Sequence, residues 1–302
     1  MRGDIERYLA LREALGYRDQ DLRRGLRSYG DFASARGTHY VRRQDVADFL
    51  YHFPSSRART RVFNWIRKFS DFMRAEDQKH HELDARFVVN GRGYGQAIPY
   101  IYEQDEIITL IEAASSAQQS PQQNIATLQF LIGLMAATGM RVGEVIGLQR
   151  ADFQENLLFI RKSKYRKQRL IGLRPSTSRQ IRRYLDRRPA KMDNPSLLVT
   201  SRNRTVSKVT VDSAFRRCTD HLGMVGRNGS KKPRLHDFRH TFAVRSLEAC
   251  EETERAVENH IVALCAYLGH TSIRSTYYYL QLLPERKREL ARQVLEAHDG
   301  TF

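Results

Sequence analysis

The chain has 302 residues, enough for two domains that each bury a core, and its formal net charge is +17, from 51 Lys and Arg against 34 Asp and Glu. That imbalance points to a polyanionic partner, nucleic acid ahead of an acidic lipid surface, and a hydrophobic content of 41% argues against a disordered polycation. The three cysteines form no CxxC pair and read as reduced thiols of a cytosolic protein, no apolar run approaches the ~18 residues of a membrane span, and the opening MRGDIERYLA lacks the apolar stretch of a signal peptide.

Residues 1–88 read as an all-helical unit. Ile5, Tyr8, Leu9, Leu11 and Leu15 recur at helical spacing, and Leu22, Leu26, Tyr29, Phe32 and Ala33 do so again. A third helix is expected over Val46 to Phe53, stopped by Pro54. A fourth follows Ser55 or Ser56. It sets Val62, Trp65, Ile66, Phe69, Phe72 and Met73 on one stripe and Arg57, Arg59, Arg61, Arg67 and Lys68 on the remainder. The stripe is core packing. The basic residues alone are either a solvated face or a row of phosphate contacts.

Residues 89–100, VNGRGYGQAIPY, break any helix with three glycines in five positions and a proline, and they form a linker. GRGYG lacks the strand-to-helix context of a phosphate cradle, so a hinge is the reading.

From Ile101 the composition turns apolar. Two helices are expected over Glu103–Ala114 and Gln123–Thr138, the second ended by Gly139 in a left-handed cap. Arg141 begins the next short helix. Glu144, three residues on, lies on the same face and braces its guanidinium. Leu157–Arg161 and Gln168–Leu173 alternate as two strands of a small antiparallel sheet. Between them RKSKYRKQR holds six basic residues in nine, Lys162, Lys164, Arg166 and Lys167 among them. Helices follow over Ser176–Asp186 and Thr210–His221, with the apolar stretch Leu197–Val199 between. The loop from Met224 carries Lys231, Lys232 and Arg234 toward LHDFRHTFA. There His236 and Arg239 open a helix running to Cys250, separated by about 4.5 Å of rise on one face. The flanking Leu235, Phe238, Phe242 and Val244 show that this helix packs, so a buried Arg239 needs an anionic partner. His240 is a bystander. A helix over Thr253–Leu268 is capped by Gly269, and His270 follows. Ser275–Leu283 is a helix carrying Tyr277, Tyr278 and Tyr279, stopped by Pro284, and Glu285–Ala297 is a last amphipathic helix. No paired cysteines or acidic set accompanies the histidines, so no metal is expected.

A tyrosine hydroxyl is a poor nucleophile unless its neighbours activate it and stabilise its target. Arginine, with a planar fork that stays charged, suits phosphate oxygens far better than a carbonyl. ATGMRVGEVIGL, KSKYRKQRLIGL, LHDFRHTFA and LGHTSIRSTYYYL, in this order, resemble the tyrosine recombinase/integrase family. The ending ALCAYLGH…TYYYLQLLPE is most similar to recombinases of transposons and other mobile elements. The resemblance implies a mainly α fold with a small antiparallel β-sheet. It further implies an N-terminal helical, SAM-like core-binding domain over 1–88, a linker over 89–100, and an α+β catalytic domain over 101–302 with a C-terminal docking helix.

It also implies roles. Arg141, Lys164, His236, Arg239, His270 and Tyr279 match the catalytic set. Lys164 is chosen because it lies five residues before Arg169, which opens the next strand; Lys162 and Lys167 compete with it. Tyr279 is chosen because it lies nine residues after His270. The basic residues of the fourth helix, with Lys162, Arg166, Lys167, Lys231, Lys232 and Arg234, become DNA contacts. The implied activity is strand cleavage and rejoining through a 3′-phosphotyrosyl intermediate, serving integration or transposition, with no cofactor. The partners are double-stranded DNA and other protomers, as a homo-tetramer or hetero-oligomer joined through the C-terminal helix, in the bacterial nucleoid with no membrane. Alternatives are a type IB topoisomerase-like relaxing enzyme and a non-catalytic DNA-binding regulator of the same fold.

Overall fold

The computed structural model describes residues 1–17, 19–84, 98–117, 121–161, 168–189, 191–227, 230–251, 253–269 and 279. The expectations for Lys162, Lys164, Arg166, Lys167 and His270 lie outside these residues. So do those for the two last helices, except at Tyr279. The chain divides into two compact units, Met1–Gln96 and Ala97–Phe302.

Among its described residues the first unit has four α-helices: α1 (Arg2–Ala14), α2 (Gln20–Ala35), α3 (Arg43–Tyr51) and α4 (Ser56–Arg74). Short polar side chains start two of them. Asp19 accepts the Leu22 N–H at 3.0 Å, and Ser55 accepts the Ala58 N–H at 3.1 Å, each satisfying an orphan donor of the first turn. The amphipathic stripes meet in one core around Ile5, Leu26, Tyr29, Phe49, Ile66 and Phe69. α3 begins three residues before Val46. Its first turn is polar and carries no apolar periodicity, and its Arg43 N–H is satisfied from afar by His81 Nδ1 at 3.2 Å.

The second unit holds α5 (Gln104–Ser116), α6 (Gln122–Thr138), α7 (Val142–Ile146) and one 3-10 turn (Arg150–Asp152). These are followed by β1 (Phe153–Gln154), β2 (Leu157–Ile160), β3 (Arg169–Gly172), α8 (Pro175–Asp186), α9 (Lys208–His221), α10 (Asp237–Glu248) and α11 (Glu254–Leu268). The sheet is antiparallel in the order β1-β2-β3, with Phe153 opposite Leu158 and Ile160 opposite Arg169. Only two strands were expected. β1 is two residues long, too short for an alternating pattern to register. Leu158, Ile160 and Ile171 point inward, and α6 is buried through Leu128, Leu131, Met135 and Thr138. Leu197–Val199 is fully buried but forms no strand, being held by single bridges from Ser196 to Gln149 and from Val199 to Thr205. The architecture is mainly helical with one small antiparallel sheet. Among the described residues no helix is long and apolar enough to cross a membrane.

Candidate active site

α6 ends at Gly139, whose φ of 61° lies in the left-handed region. A side chain there would be strained, and its Cβ would meet the Phe242 ring at 2.6 Å. The chain turns sharply and Arg141 becomes the N-cap of α7. Its Nη1 donates to Glu144 Oε1 at 2.8 Å, its own N–H donates to Glu144 Oε2 at 3.0 Å, and its Nη2 donates to the Gly269 carbonyl at 3.3 Å. The same carboxylate takes a second guanidinium. Arg169 Nη1 lies 3.0 Å from Oε1 and Nη2 lies 2.8 Å from Oε2. Burial alone would raise the Glu144 carboxyl. Hydrogen bonds from Arg169 and the Arg141 N–H, with the charges of both arginines, outweigh it and hold the pKa at about 2.

Arg239 comes from the other side, on the first turn of α10, and is only 1% exposed. Its Nη1 donates to the Gly139 carbonyl at 3.0 Å and its Nη2 to the Leu268 carbonyl at 2.7 Å. It also hydrogen bonds to the Tyr279 side chain. Among the described residues no carboxylate forms an ion pair with it. Burial, with repulsion from Arg141, lowers its pKa to about 10, so it remains charged at neutral pH. Tyr279 is itself 3% exposed, packed with Val244, Leu264 and Leu268 of α10 and α11. Burial raises its pKa, while Arg239 and Arg141 pull the other way by favouring the phenolate. Arg141, Arg239 and Tyr279, drawn from widely separated stretches of sequence, therefore meet in one place.

His236 is the N-cap of α10 and, as a residue, keeps exposed surface although its ring lies among protein atoms. The surrounding protein, with His240 and Arg239 close by, disfavours the imidazolium and lowers its pKa to about 4. His240, read as a bystander, has its ring centroid 4.9 Å from that of His236 and 5.5 Å from that of Tyr279. Two further residues escaped sequence reasoning. Arg169 served only to mark a strand, yet it shares Glu144 with Arg141. Tyr102 is fully buried and holds α10 in place. Its ring stacks on Phe238 at 4.3 Å, its hydroxyl donates to the Arg234 carbonyl at 2.9 Å, and its N–H donates to Thr241 Oγ1 at 3.0 Å. The only signal for it was an aromatic just after the linker.

The expected DNA contacts fall into two kinds. Lys231 is exposed, but Lys232 is paired with Asp220, and Arg234 forks onto the buried Asp237, with Nη2 at 2.7 Å from Oδ1. In the first unit Arg57, Arg61 and Lys68 recur at helical spacing and are exposed together. Arg59 is half-buried and donates from Nε to the Phe53 carbonyl at 2.7 Å, and Arg67 is also half-buried. α8 exposes Arg179, Arg182 and Arg183, and its C-cap Arg187 is exposed as well, a basic face that the sequence reading passed over although the three- and four-residue spacing was visible.

The sequence and the fold have counterparts among known proteins. The integrase/recombinase y4rB inferred in Sinorhizobium fredii is 27% identical over 96% of this chain and 95% of its own length. Tyrosine recombinase XerD of Staphylococcus epidermidis is 25% identical over 90% of both chains. The Tn1549 transposon integrase, solved in complex with transposon right end DNA, shares the fold, with a TM-score of 0.67 over 97% of this chain and 98% of its own, at 14% identity. The Phage integrase family model matches residues 101–286, more than half the sequence, and spans every residue of the cluster around Glu144, Arg239 and Tyr279. A chain that matches over that length and gathers these side chains in one unit belongs to the phage integrase family of tyrosine recombinases.

Proposed function

We propose that this chain is a site-specific DNA recombinase in which the Tyr279 hydroxyl attacks the scissile phosphate. One observation carries the assignment of residues: a buried, charged Arg239 that bonds Tyr279 and has no carboxylate partner among the described residues. Such a cation is a costly thing to bury unless an anion joins it, and beside a tyrosine the fitting anion is a phosphodiester.

In the reaction Tyr279 Oη forms a bond to phosphorus and the bond to the 5′ oxygen breaks. Arg141 and Arg239 hold the non-bridging oxygens, whose charge grows in the pentacoordinate transition state. His236, neutral at pH 7 because its pKa is low, assists proton transfer to or from the phenolic oxygen. By its place in the motif Lys164 returns a proton to the departing 5′ oxygen, and His270 bonds a phosphate oxygen. The product is a 3′-phosphotyrosyl protein and a free 5′ hydroxyl, which attacks the phosphotyrosine of a partner strand. The phosphoester is conserved throughout, so the cycle needs no nucleotide hydrolysis. Each chain contributes one nucleophile, and exchange between two duplexes cuts four strands, so the working assembly is a tetramer on double-stranded DNA, joined through the C-terminal segment. The similarity to mobile-element integrases supports integration or transposition as the task, and the bacterial nucleoid is where such a reaction takes place.

The test is a nicked suicide duplex built from the DNA flanking the coding region. A covalent adduct with the wild-type protein that is lost in Tyr279→Phe supports the reading. An adduct retained in Tyr279→Phe but lost in Tyr278→Phe moves the nucleophile by one residue. The absence of any adduct leaves a DNA-binding regulator.

A further inference from the structure

Glu144 poses an electrostatic problem. It orients Arg141 through two hydrogen bonds, to the side chain at 2.8 Å and to the backbone N–H at 3.0 Å. A carboxylate that close, with a side chain 3% exposed, also cancels the arginine's charge. A closed Arg–Glu pair is a poor receptor for a phosphate, because the approaching anion meets a dipole instead of a cation. The structure places a second guanidinium on the same carboxylate. Arg169 forks onto both oxygens at 3.0 and 2.8 Å, and its side chain is 11% exposed. Its Nε donates to the Tyr267 carbonyl at 2.9 Å, which fixes the fork from behind. Gly269 keeps this space open, since a Cβ there would lie 3.1 Å from Arg169 Nη1. Two cations and one anion leave one net positive charge, and Arg141 is the more exposed of the two cations, at 25% against 11%.

We infer that Arg169 is a positioning residue for strand cleavage: it neutralises Glu144, so that the carboxylate can orient Arg141 without cancelling the charge Arg141 presents to the phosphate. This rests on the recombinase reading above. A purely mechanical strut would use the same hydrogen bonds. The two roles separate when the carboxylate is neutralised as well.

The experiment compares the full-length wild type with Arg169→Met, Glu144→Gln and the double variant. Single-turnover cleavage of the nicked suicide duplex is measured alongside thermal melting. Removing one charge at this range lowers cleavage by about tenfold or more in Arg169→Met. The double variant, with its charge restored, recovers most of that loss. A double variant as slow as Arg169→Met, or slower, overturns the inference. If Arg169→Met does not fold, Arg169→Lys replaces it. Lysine keeps the charge without the fork, so it retains activity within about tenfold of wild type, and a rate as low as that of Tyr279→Phe overturns the inference. A second readout does not need cleavage. Inorganic phosphate raises the melting temperature of the wild type and the double variant more than that of Arg169→Met; equal shifts overturn the proposal. A wild type that shows the phosphate shifts but forms no adduct fails as a recombinase while the charge argument stands.

Discussion

Replacing Arg239 by methionine separates function from stability. Burial lowers its guanidinium from 12.5 to about 10, and at about 1.4 kcal/mol per pH unit the charge costs the fold about 3 kcal/mol. Below pH 10 the group is charged in both folded and unfolded chains, so this penalty is constant across the working range. Against it stand, besides the bond to Tyr279, hydrogen bonds to two carbonyls, Gly139 at 3.0 Å and Leu268 at 2.7 Å. Stranding two buried acceptors costs about 1–3 kcal/mol each. The opposing effects nearly cancel, and Arg239→Met is expected to destabilise the protein by only about 1 kcal/mol. Cleavage, by contrast, is expected to lose a preorganised donor to the charge that develops on the non-bridging oxygens, and to fall by about 10²–10³-fold or more. Urea unfolding and single-turnover cleavage of the nicked duplex are measured on the same preparation. A stability loss above about 3 kcal/mol, the range for breaking a buried ion pair, would show that Arg239 is held by an internal anion. Cleavage within about tenfold of wild type would refute its role at the phosphate.

Three further outcomes are expected. In the DNA-free protein the His236 ring titrates well below 6.5, near 4, so its neutral form adds stability that is complete above pH 6.5 and is lost as the pH falls toward 4; NMR reads the midpoint, and His240→Asn raises it by removing a neighbouring charge. Gly139→Ala combines a left-handed backbone, about 1–2 kcal/mol, with overpacking on Phe242, about 1–3 kcal/mol, and denaturant melts should show the sum; a loss under about 1 kcal/mol would mean that Phe242 swings aside. Arg57→Ala with Lys68→Ala lowers the slope of log affinity against log salt by about 0.9 for each phosphate that is no longer neutralised, and an unchanged slope would leave α4 as a solvated face.

The helical framework was legible because its signals are local. Apolar residues at three- and four-residue spacing, serine and aspartate caps, and glycines at helix ends each act within a turn. Thus α4 was placed from Ser55 or Ser56, Gly139 was read as a left-handed cap and Gly269 as a cap, and the structure gives them φ of 61° and 65°. β1 was invisible because two residues carry no period. The tyrosine, the two arginines and Glu144 were legible as residue types near motif positions. Arg169 was seen and undervalued, since nothing along the chain says that a strand's first residue reaches a carboxylate 25 positions away. The acceptors that hold Arg239 were beyond any residue-type reading. They are backbone carbonyls, which every position has, and only the fold decides which ones are left unpaired.

Those carbonyls explain how three guanidinium groups sit together without a matching number of acids. The last carbonyls of a helix have no partner within it and carry its negative end. At the end of α11 the three successive carbonyls of Tyr267, Leu268 and Gly269 accept from Arg169, Arg239 and Arg141 respectively. The Gly139 carbonyl, just past the end of α6, gives Arg239 a second acceptor. A carboxylate at each of these places would hold an arginine more tightly and cancel its charge. A helix terminus carries only about half a charge. It can fix the direction of several cations, weaken their mutual repulsion and still leave a net positive field. Glu144, the one full negative charge that bonds these arginines among the described residues, has its own arginine to balance it. The LGH turn that drew attention as a motif thus acts before its histidine is counted: Gly269 turns the backbone so that neighbouring carbonyls face three different side chains.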